Sequence, residues 1–266
     1  MHRTRRASEE ISHLMSSTTD NKALERAVSF CIWILLWAFL SALIDQELFL
    51  PSPLRVIYAL SSMVGESSFW RSIAFSLSRV SAGIVISFLS AILLSALSYR
   101  FRLIDIFLDP ALKVIKATPV ASIIILVLLW IKSRNLSIVI SFLMVFPILY
   151  TALLDGLNGI GYDMIEMADV YGIRGLRRIR YIYMPYVMPA LRTALRTALA
   201  MGWKSAVAAE VIGLPSFSIG SELYQSKVYF DTPRLFAWTA VIVLLAFLFE
   251  RLFIFIISIA ERRIVR

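Results

Sequence analysis

Arg79, Lys204 and Glu210 are charged side chains inside otherwise apolar stretches of this chain. Ionisable groups at membrane depth are costly, so they pair with one another or face a water-filled path. Arg79 and Glu210 fall at comparable depth in two separate apolar runs. That depth predicts either an interhelical ion pair that only fixes packing or charges that line a path. Lys204 stands 15 residues beyond Pro189, roughly 20 Å up a helix and so near mid-bilayer. An ammonium there would attract an anionic solute; the rival reading has it snorkel toward carbonyls or pair with Glu250. Small neighbours (Gly202, Ser205, Ala206, Ala208) leave room for a cavity on the first reading. Glu250 and Arg251 are adjacent, point about 100 degrees apart on a helix, and receive no role.

Catalytic chemistry is not expected. The two histidines, His2 and His13, both lie in the polar N-terminal segment, away from the apolar runs. A G-x-x-x-x-G-K-[ST] phosphate cradle is missing, so ATP and Mg would be handled by another chain and no cofactor is expected in this one. The single cysteine, Cys31, excludes an intrachain disulfide.

A polar stretch, "EMADVYGIRGLRRIRYIYMP" at 166–185, interrupts the apolar chain. Asp163 followed by Glu166 predicts a capping box opening a helix over 164–171. Gly172 predicts a left-handed residue that closes it. Leu176, Ile179 and Ile182, opposed by Arg177, Arg178 and Arg180, predict a second, amphipathic helix that Pro185 ends. A short helix, a glycine hinge and a basic helix make more loop than a membrane bundle needs, which points to a partner.

The elements that position these residues follow from hydropathy. Mean hydropathy is +0.78 and 17% of residues are charged, too few charges for an ordinary soluble domain, where about a quarter are charged. Six spans are expected, at 27–45, 73–98, 114–131, 136–157, 190–212 and 235–259. With both termini inside, eighteen of the 27 Lys and Arg lie on the inner side against six outside. The net charge of +9 is therefore a topological signal, and nucleic acid is not an expected partner. Residues 1–26 form a polar cytoplasmic segment, an amphipathic helix or disordered, with no cleaved signal peptide expected; 27–259 form the transmembrane domain; 260–266 form a cytoplasmic tail. Pro51 and Pro53 start a short amphipathic helix on the outer face. The 2–3 link is an interfacial segment broken at Pro110, and "KSRN" at 132–135 joins spans 3 and 4 as a hairpin. Small residues in span 2, Gly83 among them, place it inside the bundle. Span 5 is expected to begin after Pro189 and to be followed by an outer loop of about twenty residues. Trp33, Trp37, Trp70, Trp130 and Trp238 are read as interface anchors. The fold class is all-α, polytopic and membrane-spanning.

Glu166, Ala168, Gly172, Ile182 and Pro185 stand at the spacings of the "EAA" loop of bacterial ABC importer permeases. Met167 and Met184 are apolar departures from that pattern. "KATPVAS" at 116–122, "LLW" at 128–130 and "VAAEVIG" at 207–213 are similar to the nitrate, sulfonate, taurine and bicarbonate branch of that family. Ile125 and Lys132 depart from it, standing where a proline and a glycine are usual, which predicts a straighter span 3. The resemblance implies a type I importer in a bacterial inner membrane. Its partners would be two ATPase subunits, a second permease copy and an extracytoplasmic substrate-binding protein, with lipid around the bundle. Residues 162–189 would form the coupling loop: Asp163 and Glu166 capping, Ala168 permitting close approach of the ATPase, and Gly172, Ile182 and Pro185 setting the geometry. The alternative, an ion-gradient-driven secondary transporter, would rely on Glu210 and Glu250 as its only intramembrane carboxylates and leaves the loop unexplained.

Overall fold

A computed structural model describes residues 24–25, 28–44, 46 and 48–265, with side chains as far as Ile259. Most of the expected N-terminal segment, and the side chains of the tail, lie outside that description. The chain is all-α, with no strand among the described residues. Its helices are α1 (Val28–Ile44), α2 (Pro53–Val64), α3 (Ser67–Arg100), α4 (Arg102–Ala117), α5 (Val120–Leu128) and α6 (Ser133–Asn158). They continue with α7 (Tyr162–Val170), the single turn α8 (Leu176–Arg178), α9 (Met184–Gly213), α10 (Ile219–Val228) and α11 (Thr232–Val265).

The centre is α6, packed between α3 and α9. Along α3 the buried face reads Ser72, Ser76, Val80, Gly83, Ser87, Ala91, Ser95 and Ser98, at spacings of three and four. Small side chains at that period let two helix backbones close on each other. Gly83 sits where a Cβ would run into Ser141 Oγ and the Ile138 carbonyl. Below it, the buried Tyr150 hydroxyl donates to Asp105 Oδ1 (3.0 Å) and shares a hydrogen bond with Ser98 Oγ (2.8 Å), tying α6 to α3 and α4. Large apolar side chains fill the remaining space: Trp203 is 1% exposed and Trp238 0%. Trp238 lies 5.0 Å from the Phe69 ring, so this residue is core and not an interface anchor. Trp33, Trp70 and Trp130 are exposed; Trp37 is half-buried and donates to the Pro51 carbonyl at 3.1 Å.

By length and composition, α3, α6 and the Thr232–Ile259 part of α11 are each able to cross a membrane. The expected span at 114–131 is not a single helix. α4 and α5 meet at 108° across Thr118 and Pro119, so this region is bent and not straightened. Pro119 supplies the reason: it disfavours the helical conformation in the residue before it, and Thr118 is extended at ψ 132. Pro110, in contrast, does not break α4. The carbonyl it leaves unbonded belongs to Ile106, which is 58% exposed, where solvent or headgroups can satisfy it. The 30-residue α9 is long enough to cross, but its charges keep it out of the apolar class. α1 at Val28–Ile44 is a shorter apolar helix.

α2 forms as expected, with Pro53 in its first turn and the Ser52 hydroxyl accepting from the Arg55 amide at 3.4 Å. The loop expected after span 5 is instead largely α10. Its start is a capping box: Ser218 Oγ accepts from the Ser221 amide (3.1 Å), and Ser221 Oγ accepts from the Ser218 amide (3.2 Å).

Candidate functional site

The stretch 162–185 lies at one end of the bundle, where its Tyr183, just before α9, makes a ring contact with Tyr99 at the foot of α3. The short helix expected at 164–171 is α7, but its opening differs. Gly161 is the N-cap and no side chain caps it. Asp163 and Glu166 therefore form no capping box. Asp163 lies in the first turn, where a carboxylate still favours the positive helix end. Its closing is a Schellman motif: Gly172 has φ +65, the Ile173 amide donates to the Ala168 carbonyl (2.8 Å) and the Gly172 amide to the Asp169 carbonyl (3.1 Å). Nothing lies within 4 Å of where a Gly172 Cβ would stand, so only the backbone conformation demands glycine there.

Ala168 faces inward. It is 0% exposed and clusters with Ile160 and Ile182, itself 2% exposed, with Met164 and Ile173 against them. The small residue thus lets α7 lie close on Ile182, in the turn that precedes α9, and does not present itself to a partner. Glu166 is exposed, and so are Tyr162, Val170, Tyr171 and Leu176, each at least 75%. An ion pair that the sequence left unassigned, Arg178 with Asp169 at 2.8 Å, spans the hinge.

The second helix does not stop at Pro185. α8 runs through a π turn, Ile179–Tyr183, straight into α9. The Met184 amide reaches back five residues to the Ile179 carbonyl. A proline ring would clash with the carbonyl four residues earlier; the wider π turn moves that carbonyl aside. Loop and span are one mechanical piece.

Arg79 and Glu210 form no ion pair. Arg79 Nη1 donates to the Arg134 carbonyl and to Asn135 Oδ1 (2.8 Å), and its guanidinium lies 4.3 Å from the Phe75 ring centroid. Glu210 is 0% exposed. Its Oε2 accepts from Ser76 Oγ (2.7 Å) and the Gly220 amide (3.2 Å), and its Oε1 from Ser137 Oγ (3.1 Å). Ser76 Oγ in turn accepts from the Ile219 amide at 2.9 Å. The carboxylate and one serine thus satisfy the first two amides of α10, which a helix leaves unbonded. Gly220 makes the approach possible, since a Cβ there would lie 2.6 Å from the Val211 amide nitrogen. Sequence reasoning missed Ser76, Ser137 and Gly220; "SFSIGSEL" carried the only signal, a serine pair three apart.

Lys204 is on the exposed face of α9, in a stripe with Thr193, Thr197, Met201 and Ile212. It pairs with no acid among the described residues, Glu250 included. Its small neighbours do not open a cavity: a Cβ on Gly202 would stand 2.5 Å from Val145 Cγ2, and Ser205 and Ala206 are buried in the same packing.

Residues 83–266 match the sequence family described as binding-protein-dependent transport system inner membrane component. The taurine transport system permease protein TauC of Escherichia coli (strain K12) is 25% identical over 84% of this chain and 82% of its own length. The putative aliphatic sulfonates transport permease protein SsuC of Bacillus subtilis (strain 168) is 21% identical over 77% of this chain and 74% of its own. The formylaminopyrimidine transport permease protein ThiX of Halalkalibacterium halodurans is 24% identical, covering 85% and 90%.

Proposed function

The chain belongs to the family of binding-protein-dependent transport system inner membrane components, and on that premise we propose that it is one of two identical permease copies in an importer of a small anionic solute. It is a multi-pass membrane protein and the permease subunit of an ABC importer. ATP and Mg sit on two separate ATPase subunits, which dock on α7. A substrate-binding protein delivers the solute at the opposite end, and both termini lie on the α7 side of a bacterial inner membrane.

The observation that carries this reading is α7, a helix closed by a Schellman motif, with exposed aromatic and aliphatic residues and a buried Ala168–Ile182 contact beneath it. ATP binding draws the two ATPase subunits together and carries both copies of α7 with them. The π turn keeps the loop continuous with α9, so the displacement is delivered to the helix that bears Lys204. Bundle and cavity then alternate between inward-facing and outward-facing forms. Lys204 supports both the second copy and the anion. A lysine exposed at membrane depth is costly against lipid, and a partner's α9 would enclose it beside a shared axis. Two of the named relatives carry taurine or aliphatic sulfonates in their names and a third is named for a heterocycle; the charge of Lys204 supports the anion.

The test is co-purification of the membrane-embedded chain with an ATPase bearing a G-x-x-x-x-G-K-[ST] loop. Wild type should retain it, and Gly172→Val should lose it while inserting normally. Retention and full transport by a well-expressed Gly172→Val variant would overturn the docking assignment.

A further inference from the structure

At the end of the bundle opposite α7, an open cavity of about 560 Å³ lies between the starts of α3 and α6 and the segment after α9. Its wall carries Arg71, Lys132 and Arg134, with Phe75, Leu214 and Phe217 beside them, and no acidic side chain. None of the three cations makes an ion pair among the described residues. Clustered like charges repel, and low-dielectric walls concentrate their field on any anion that enters. The volume falls within the roughly 300–1,000 Å³ of small-molecule sites.

The cluster is held in place. Arg71 lies over the Phe217 ring at 3.7 Å from its centroid, a cation–π contact that fixes the guanidinium on the wall. Phe217 reaches that position from a left-handed backbone, φ 59, and Leu214 is left-handed too, φ 48. Bulky residues adopt such angles only where the surroundings enforce them, and such strain concentrates at functional sites. Arg79, one layer deeper, grips the Arg134 carbonyl and Asn135 Oδ1, so it fixes the turn that presents Arg134 and Lys132. Strain and hydrogen bonds are thus both used to gather positive charge that no acidic side chain among the described residues neutralises.

We propose that this cavity binds the sulfonate or carboxylate group of the transported solute when it is released at this end of the bundle, before it reaches the α9 face that carries Lys204. The proposal rests on the anionic-solute reading above. Arg71 and Arg134 supply the forked donors that suit a planar or tetrahedral oxyanion, Lys132 adds a point charge, and the Phe75 and Phe217 rings contact the carbon portion.

The experiment uses the full chain in phosphatidylcholine nanodiscs at fixed ionic strength, read by saturation-transfer NMR with methanesulfonate and, as control, tetramethylammonium. Wild type should transfer to methanesulfonate and not to tetramethylammonium. Arg71→Gln combined with Arg134→Gln should weaken methanesulfonate about tenfold or more, the loss expected for charge-assisted contacts, while Arg71→Lys with Arg134→Lys should recover part of it. Equal signals in wild type and the Gln variant, or equal signals from the two probes, would overturn the site. An anionic headgroup could supply the same chemistry, so the wild-type to variant ratio is measured again in phosphatidylglycerol discs. An unchanged ratio supports the solute; a ratio falling to one means that the headgroup fills the cavity and overturns the assignment. Anion transport by the assembled importer without methanesulfonate binding would overturn the cavity alone. Binding at Arg71 and Arg134 with transport only of neutral or cationic solutes would overturn the anionic reading and, with it, the cavity's role in delivery.

Discussion

Glu210 is the residue whose meaning changed most between sequence and structure. A buried carboxylate suggests a counter-ion, yet three neutral donors hold it: two serine hydroxyls and the Gly220 amide. Its removal should orphan those donors together. Glu210→Ala should lower detergent stability by about 1–3 kcal/mol, the range for leaving a buried group unsatisfied, and Glu210→Gln, which keeps an acceptor oxygen, should lose less. Because Arg79 is bonded elsewhere, Arg79→Ala and Glu210→Ala should be close to additive, whereas Ser76→Ala and Glu210→Ala, which share a network, should not. Thermal unfolding of the singles and doubles checks both; strong coupling of Arg79 to Glu210 would contradict the observed geometry. Outside the spans, Glu66 bonds Arg234 Nη2 at 2.7 Å, and the guanidinium holds its carboxyl below the ordinary carboxylate value of 4.5. A lowered folded-state pKa contributes stability above the unfolded value, and that contribution is lost as pH falls through the folded one. The stability gap between wild type and Glu66→Gln should therefore persist from neutral pH to the upper edge of the carboxylate range and close below it. The pair is partly exposed, so salt should shrink the gap as well.

At the scale of elements, prolines explain the departures from the expected spans. Pro119 bends a span by 108°, Pro110 leaves a helix intact, and Pro185 is absorbed by a π turn. The difference lies in what surrounds each ring: an extended preceding residue, an exposed carbonyl, or a widened turn. Gly172 is the opposite case, with open space and a left-handed backbone. Asn tolerates that backbone better than other non-glycine residues. Gly172→Asn should thus retain most ATPase association and stimulation, and Gly172→Val, which puts a β-branched residue into a conformation costing about 1–2 kcal/mol, should lose most of it. Equal loss in both variants would mean that the residue acts by something other than its dihedral angle.

For the whole molecule, one chain leaves a polar and apolar stripe of α9 uncovered: Thr193, Thr197, Met201, Lys204 and Ile212. The exposed side of α5, with Ile125 and Leu126, and the turn after it, with Leu129 and Trp130, are likewise unfilled. A second copy facing the α9 stripe would bring identical positions together across a two-fold axis. With Cys31→Ser removing the native thiol, Met201→Cys should give an oxidant-dependent product of twice the mass in membranes, since a disulfide needs Cα atoms within about 7 Å. A control at the buried Leu195 should give none. Cross-linking equal at both positions, or absent from Met201 and its stripe neighbours, would remove the α9 dimer face.

Sequence alone determined the class of molecule, the short helix of the 162–185 stretch and its closing glycine, because hydropathy runs and a left-handed glycine are local properties that neighbours in space do not alter. It also read from the small residues that span 2 packs closely on a neighbour, although α3 buries only that face against α6 and leaves Val85, Ile86, Leu89 and Leu93 exposed. It did not determine who bonds to whom. Arg79 and Glu210 stand at matching depth, but depth is one coordinate and pairing needs three; the helix rotations that turned Arg79 to Asn135 and Glu210 to Ser76 are set by packing of α3, α6 and α9. The same holds for Ala168, which faces Ile182 and not solvent, and for Arg71 in the first turns of α3, which meets Lys132 and Arg134 at the start of α6 only when the bundle's end brings them to one cavity. Charge and period are written along the chain, while the face each residue turns to its neighbours is decided only when the helices close on one another.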